Sequence, residues 1–252
     1  MRILLTNDDG VFADGIFALY QSLKSLGEVH VVAPAVEQSA AGHAITLHHP
    51  LRVKKVIREK GFWGYAVNGT PADCVKFAVK VLLPKPPDIV VSGINMGPNV
   101  GLSVLYSGTV SAAMEGTVLG FSSIAVSLGT KQDPDFRYAA KFTRKLIGQV
   151  HRRGLPPGTL LNVNVPPLSA ELIRGVRITR TGISRIVEHF DKRMDPQRGA
   201  YFWLSGELIA AEDAPDIDST ALRDRAISIT PIHYDLTHHQ FMGALEKWKL
   251  EK

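Results

Sequence analysis

Cysteine is almost absent from these 252 residues: Cys74 is the single thiol. That excludes an intramolecular disulfide framework and a cysteine-based zinc site, and it suits a reducing, cytoplasmic setting. Long apolar runs are missing too. The amino end offers only Ile3, Leu4 and Leu5 before polar Thr6-Asn7-Asp8-Asp9. This falls far short of a signal-peptide core or the roughly 20 residues that span a bilayer, so a soluble protein with no membrane partner is expected. There is no basic arm. The formal net charge of +5 is dispersed over pairs such as Lys54-Lys55, Arg144-Lys145, Arg152-Arg153 and Lys192-Arg193. Dispersed charge favours steering of small anions and argues against long nucleic acid as a partner. The glycine-rich stretch Gly93 to Gly101 lacks the spacing of a dinucleotide fingerprint and the Walker lysine and serine, which disfavours a Rossmann cofactor. Internal repeats and low-complexity segments are absent as well.

What is present is an alternation of strand and helix signals. Ile3-Leu4-Leu5 is an uninterrupted apolar run, as in a strand buried on both faces at the centre of a parallel sheet. Ile16, Leu19, Tyr20, Leu23 and Leu26 then recur at helical spacing, with Asp14 placed to cap the start and Gly27 to mark the end. Val29 to Ala33, closed by Pro34, completes a strand-helix-strand unit of the kind that builds parallel sheets. Leu51 to Ile57 and Phe62 to Val67 read as a small antiparallel excursion. Thr70, Pro71 and Asp73 announce a helix that Pro84, Pro86 and Pro87 end; Cys74, inside it, reads as a packed residue. Further strands are expected at Asp88 to Ser92, Ser122 to Leu128 and Leu160 to Val165, and helices at Val110 to Leu119 and Phe136 to Val150.

This grammar predicts an α/β fold: a Rossmann-like parallel-sheet core over 1–167 with helices on both faces. Residues 168–252 read as a C-terminal extension that is not an independent domain. In it, Val176 to Thr179, Ala200 to Leu204, Leu208 to Ala211 and Ala226 to Thr230 are expected strands, with Gly199 and Gly206 at turns. Phe241, Leu245 and Trp248 place an apolar stripe on a terminal helix. A hairpin and a striped helix added to a complete α/β core call for a partner surface, so a homodimer or homotetramer is expected.

In open α/β sheets ligands bind beyond the carboxyl ends of the strands. Asp8 and Asp9 stand there after the first strand. Two adjacent carboxylates repel unless a cation or a shared proton neutralises them, and hard oxygen donors favour Mg²⁺, Mn²⁺ or Ca²⁺. A solvated turn is the alternative, since Asn7, Asp8, Asp9 and Gly10 all favour turns. Ser39 and His43 lie in a loop at the end of the next strand and so on the same rim; either can instead bond its own loop. Ser107-Gly108-Thr109 opens a helix, where hydroxyls and free backbone N–H groups make an anion site or an ordinary cap.

Thr6-Asn-Asp-Asp-Gly10, Ser39 in its glycine-containing loop, Asn68-Gly-Thr-Pro71, Ser92-Gly-Ile-Asn95 with Gly97, Asn99 and Gly101, and Tyr106-Ser-Gly-Thr-Val110 together resemble the motifs of the SurE survival-protein family of nucleotidases. The match runs in order to about residue 130, with weaker similarity at Asp218-Ser219-Thr220 and Ile227 to Pro231. The resemblance implies a metal-dependent phosphomonoesterase acting on nucleoside 5′- and 3′-monophosphates, with a carboxy-terminal part that exchanges between subunits. It implies one divalent ion per subunit, Mg²⁺ or Mn²⁺, held by Asp8, Asp9, Ser39 and Asn95. Asp8, Asp9 and Asn95 are then the expected catalytic residues, with Asn99, Ser107, Gly108 and Thr109 on the phosphate. This chain departs from the family pattern at Ser103, where an acid is usual. Chemically, a divalent ion held by two carboxylates and by neutral Ser39 and Asn95 keeps a cationic edge with open positions, which polarises a phosphate ester and lowers the pKa of water. Attack on phosphorus by Asp8 or Asp9 is the other route to hydrolysis. A metal-dependent nucleotide-sugar transferase and a non-catalytic nucleotide-binding protein are the competing classes.

Overall fold

The computed structural model describes all residues except 59–62, 184, 210–212, 249, 251 and 252. Its first strand, β1 (Arg2–Thr6), leads through α1 (Asp14–Leu23) to β2 (Glu28–Pro34). An antiparallel pair, β3 (Val53–Ile57) and β4 (Trp63–Val67), precedes α2 (Pro71–Phe77) and a wider helical turn, Ala78–Leu82. There follow β5 (Ile89–Met96), α3 (Gly108–Val118), β6 (Ser122–Leu128), α4 (Arg137–Arg153) and β7 (Thr159–Val165). The remainder holds β8 (Val176–Ile178), β9 (Arg185–Asp195), β10 (Gly199–Ile209), α5 (Asp218–Arg223), β11 (Ile227–His233) and α6 (His239–Leu245).

The main sheet has the order β3-β4-β2-β1-β5-β6-β7-β11-β8. From β4 to β7 neighbouring strands run parallel; β3 and β11 run antiparallel to β4 and β7. The chain leaves β1 toward β2 on one side and returns to β5 on the other, so the strand order reverses at β1 and a crevice opens at its carboxyl end. Both faces of β1 are apolar because both are covered. Ile3 and Leu5 pack with Ile16, Leu19 and Leu23 of α1 and Ile147 and Val150 of α4, whereas Leu4 packs with Cys74 and Val75 of α2 and Ala112 of α3. Each of these strand side chains is fully buried, which contributes about 1.5–3 kcal/mol apiece.

Helix ends follow local chemistry with one correction. Thr70 and Asp73 form the expected reciprocal cap on α2. Asp14 does not cap α1: the cap position is Ala13, and Asp14 sits in the first turn, where its carboxylate pairs with Arg58 at 2.6 Å. Burial pushes the Cys74 thiol up and leaves it inert. No helix among the described residues is long and apolar enough to cross a membrane.

Beyond residue 167 the sheet continues, since β11 pairs with β7 and β8 with β11. The hairpin differs from its expected form. β9 and β10 pair antiparallel over their whole length, from Gly199 opposite Asp195 to Ile209 opposite Arg185. Gly199 stands at the turn with φ +85°, but Gly206 lies within a strand opposite Glu188, so the two short strands expected on either side of it are one. Ala211 lies outside the described residues.

Candidate active site

A cavity of about 380 Å³ opens at the switch point, its lining including Asp8, Asp9, Glu37, Ser39, Asn95, Asn99, Ser103, Tyr106, Ser107 and Lys131. Four loops converge there because four parallel strands, β1, β2, β5 and β6, end there. The turn after β1 is held by Asn7, whose side-chain amide donates to Gly10 O at 2.8 Å, so turn chemistry and carboxylate display coexist. The loop after β2 is tied down by Gln38 N donating to Asp8 O at 2.9 Å and by Gly42 N donating to Tyr106 O at 3.0 Å. At the end of β5 the pairing with β6 shifts between Ser92 and Asn95, an irregularity of the kind that re-aims a side chain.

The carboxylates are in an environment that disfavours their charge. Asp8 is buried and Asp9 partly so. Burial raises the Asp8 carboxyl above its ordinary range, against the pull of Thr109, whose hydroxyl donates to Asp8 Oδ1 and whose backbone N–H adds a second bond. Asp9 is pushed up to about 7, first by burial and then by the charges of Asp8 and Glu37. Two desolvated acids one residue apart are what a divalent cation would relieve.

The donor set fits such an ion. Asn95 donates its amide N–H to Gly97 O at 2.8 Å, which leaves the amide oxygen as the ligand atom. Ser39 donates its hydroxyl proton to Glu37 Oε1, so its oxygen lone pairs are free to accept a cation. Asp8, Asp9, Ser39 and Asn95 thus offer four hard oxygens, the chemistry that Mg²⁺ and Mn²⁺ prefer. Among the described residues no three histidine, cysteine, aspartate or glutamate side chains cluster as a metal site, so the neutral donors are essential to any such assignment.

The phosphate candidates divide. Asn99 and Ser107 line the cavity; Gly108 and Thr109 do not. Ser107 caps α3 by accepting Val110 N at 3.1 Å. The anion received at this helix end is the Asp8 carboxylate, held by Thr109, and Gly108 leaves room for it: a Cβ at Gly108 would come within 2.7 Å of Asp8 Cβ. His43, a candidate from its loop, lies outside the cavity lining and instead places Nε2 3.0 Å from Glu115 Oε2 of α3. Ser103 lines the cavity but its hydroxyl donates to Val100 O at 2.6 Å and closes its own turn.

Residue-by-residue reading missed Glu37 and Lys131 in the lining, and a supporting layer behind it. Asn99 is clamped by its backbone: its N donates to Asn164 Oδ1 at 2.8 Å, and its carbonyl accepts Asn162 Nδ2 at 2.8 Å and Asn164 Nδ2 at 3.0 Å. Its side-chain amide donates to Ser127 Oγ at 2.8 Å. Buried Asp218 accepts Gly101 N at 2.8 Å and Gly182 N at 3.1 Å, joining the glycine loop to the C-terminal part. A signal for the asparagines was present, because alternate positions on a strand share a face and a buried face has no use for two amides without backbone to satisfy. A larger recess of about 510 Å³ is lined by Asp135, Arg137, Lys141, Glu171 and neighbours, but Arg137 is paired there with Asp135 at 2.6 Å and none of the site residues takes part.

The family model described as Survival protein SurE matches residues 3–188. The 5'-nucleotidase SurE of Syntrophobacter fumaroxidans is 54% identical over 250 residues, covering 99% of this chain and 100% of its own. That of Syntrophus aciditrophicus is 49% identical over 247 residues, covering 98% and 93%. Among solved structures, the SurE protein from Aquifex aeolicus superposes with a TM-score of 0.86 at 40% identity, covering 99% of this chain and 100% of that one. With the family model matched over residues 3–188 and relatives about half identical over nearly the whole length, the chain belongs to the SurE survival-protein family.

Proposed function

We propose that the chain is a metal-dependent phosphomonoesterase that hydrolyses nucleoside 5′-monophosphates, and 3′-monophosphates as well, to nucleoside and phosphate. The observation that carries this reading is the pair Asp8 and Asp9, a buried and a partly buried acid at the switch point with raised proton affinity, and the neutral oxygen donors Ser39 and Asn95 in the same cavity lining. The names of the full-length relatives, 5'-nucleotidases, support the same substrate class.

Asp8, Asp9, Ser39 and Asn95 would hold one Mg²⁺ or Mn²⁺ per subunit. Such an ion supplies Lewis acidity toward a phosphoryl oxygen and lowers the pKa of water. The chain's residues do the rest. Thr109 and the α3 N-terminus favour the charged form of Asp8 against its burial and fix its direction. Glu37 accepts the Ser39 proton and so orients the hydroxyl lone pairs. Asn99, locked by Asn162 and Asn164, and Ser107 steady the phosphoryl oxygens as charge develops on them. Water is the better nucleophile than Asp8, because one Asp8 oxygen is already engaged by Thr109.

The division into a 1–167 core and a 168–252 extension has an assembly role in this proposal. On one face of the β9–β10 ribbon Phe190, Met194, Phe202 and Leu204 are all more than half exposed. An apolar strip of this kind on a two-stranded ribbon supports association of subunits.

The test is phosphate release from a nucleoside monophosphate with and without chelator. Release that stops in chelator and returns with Mn²⁺ or Mg²⁺ supports the reading. Chelator-resistant release overturns the metal role, and transfer of a sugar in place of phosphate release makes the protein a transferase.

A further inference from the structure

The cavity holds three carboxylates, Asp8, Asp9 and Glu37, against one basic side chain, Lys131. A monoester phosphate adds up to two more negative charges at neutral pH. One divalent ion offsets Asp8 and Asp9 alone, which leaves Glu37 and the substrate uncompensated. Lys131 is placed for that deficit. It sits in the connection between β6 and α4, in a turn closed from both sides by Thr130: the Thr130 hydroxyl donates to Gln132 O at 2.9 Å and accepts Gln132 N at 3.0 Å. The base of the loop is pinned by Gly129 N donating to Val165 O and Thr130 N to Leu128 O, each at 2.8 Å.

Its stem lies across Gly97 at the end of β5. A Cβ on Gly97 would come within 3.0 Å of Lys131 Cε and 3.3 Å of Cγ, and Gly97 has φ +116°, so the lack of a side chain there is what lets the lysine cross into the cavity. Gly97 is itself held by its N–H to Leu128 O at 2.9 Å, on the same strand end that launches the lysine loop. Among the described residues no carboxylate pairs with Lys131. A cation without a partner beside an acid-rich pocket is available to an incoming anion.

We propose that Lys131 is a substrate-contacting residue of this site, its ammonium binding the phosphoryl group of the monoester and setting the affinity for the dianion. This rests on the phosphomonoesterase reading above. It assigns a role to a residue that none of the sequence motifs contains.

The experiment compares Lys131→Met, Lys131→Gln and Lys131→Arg with the parent protein, all loaded with Mn²⁺. Steady-state kinetics use a nucleoside 5′-monophosphate and p-nitrophenyl phosphate, and calorimetry measures binding of inorganic phosphate. Methionine keeps the stem on Gly97 and removes only the charge, so the melting temperature stays unchanged. The expected result is a rise of about tenfold in KM for both substrates and in Kd for phosphate, as for a lost hydrogen bond to a charged group near solvent. Lys131→Arg recovers most of it, and the difference shrinks at high salt. Unchanged phosphate binding in both neutral variants overturns the proposal. So does a KM change confined to the nucleotide, which would make the lysine a reader of the nucleoside. If the parent hydrolyses neither ester, the enzymatic reading fails, and the calorimetric comparison still decides whether Lys131 binds phosphate.

Discussion

The strand ends around Asp8 and the β9–β10 ribbon are opposite solutions to the same problem of placing polar and apolar groups. At β1 the apolar residues are buried on both faces and the polar ones are concentrated in the following turn. The ribbon keeps Phe190, Met194, Phe202 and Leu204 in the open on one face, with Lys192 among them, and Asp191, Arg193 and exposed Trp203 on the other, and among the described residues its two strands pair only with each other. The first arrangement makes a rigid floor that positions chemistry. The second leaves apolar side chains in contact with solvent. In the proposed function the first carries the chemistry and the second the association of subunits.

The contrast is broken most severely at the floor of the site. Asp9→Asn is expected to lower turnover by at least about a hundredfold, since several kcal/mol of charge stabilisation are at stake and each 1.36 kcal/mol is tenfold in rate. The melting temperature should not fall, because the substitution removes one of two repelling acids. Near-normal activity at saturating Mn²⁺ would remove Asp9 from the metal set. One layer below, Leu4→Ala should cost about 2–5 kcal/mol in denaturant unfolding, as a fully buried side chain leaves a cavity between β1 and α2. A loss below about 1 kcal/mol would mean that the sheet centre is not close-packed. On the ribbon, Phe202→Asp should leave single-subunit unfolding within about 0.5 kcal/mol, as surface substitutions usually do, and shift light-scattering mass toward the monomer. An unchanged mass would assign assembly to another surface.

How much of this was legible in the sequence follows the same division. Asp8, Asp9 and Ser39 could be placed on one rim because each follows a strand end that local patterning locates; Asn95 came from the family resemblance, and one cavity lining includes all four. The core was readable from Ile3-Leu4-Leu5 for the same reason. β9 was not, because the apolar residues of Arg185 to Asp195 fall at Ile186, Val187, Phe190 and Met194, without the alternation that marks a strand. Gly206 was misplaced as a turn because strand pairing is decided by the opposite strand, here Glu188, and not by the glycine alone. Lys131, Glu37 and the clamp of Asn162 and Asn164 on Asn99 depend on contacts between distant segments, which no local window contains. Gly108 and Thr109 were legible as an anion site, but the anion beside them is Asp8, supplied by a segment a hundred residues earlier.

A smaller effect sharpens the comparison by pH. Glu115 is nearly buried on α3, and although burial opposes its charge, His43 and Lys76 hold its carboxyl below the ordinary range, with Lys76 Nζ at 2.6 Å. A lowered folded pKa contributes stability that is present above the unfolded value, 4.5, and lost as pH falls through the folded one. Glu115→Gln should therefore lower the melting temperature at pH 7 and converge on the parent protein as the pH falls below about 4. A constant difference down to pH 3 would mean that the pairing with His43 and Lys76 adds nothing.

The most direct test of the account is a calorimetric titration of Mn²⁺ into the parent protein and into the double variant Asp8→Asn, Asp9→Asn. The account predicts one ion per chain in the parent and no measurable binding in the double variant, with both proteins folded by circular dichroism. Equal affinity in the two would contradict it, because the carboxylate pair at the end of β1 would then not be what holds the ion.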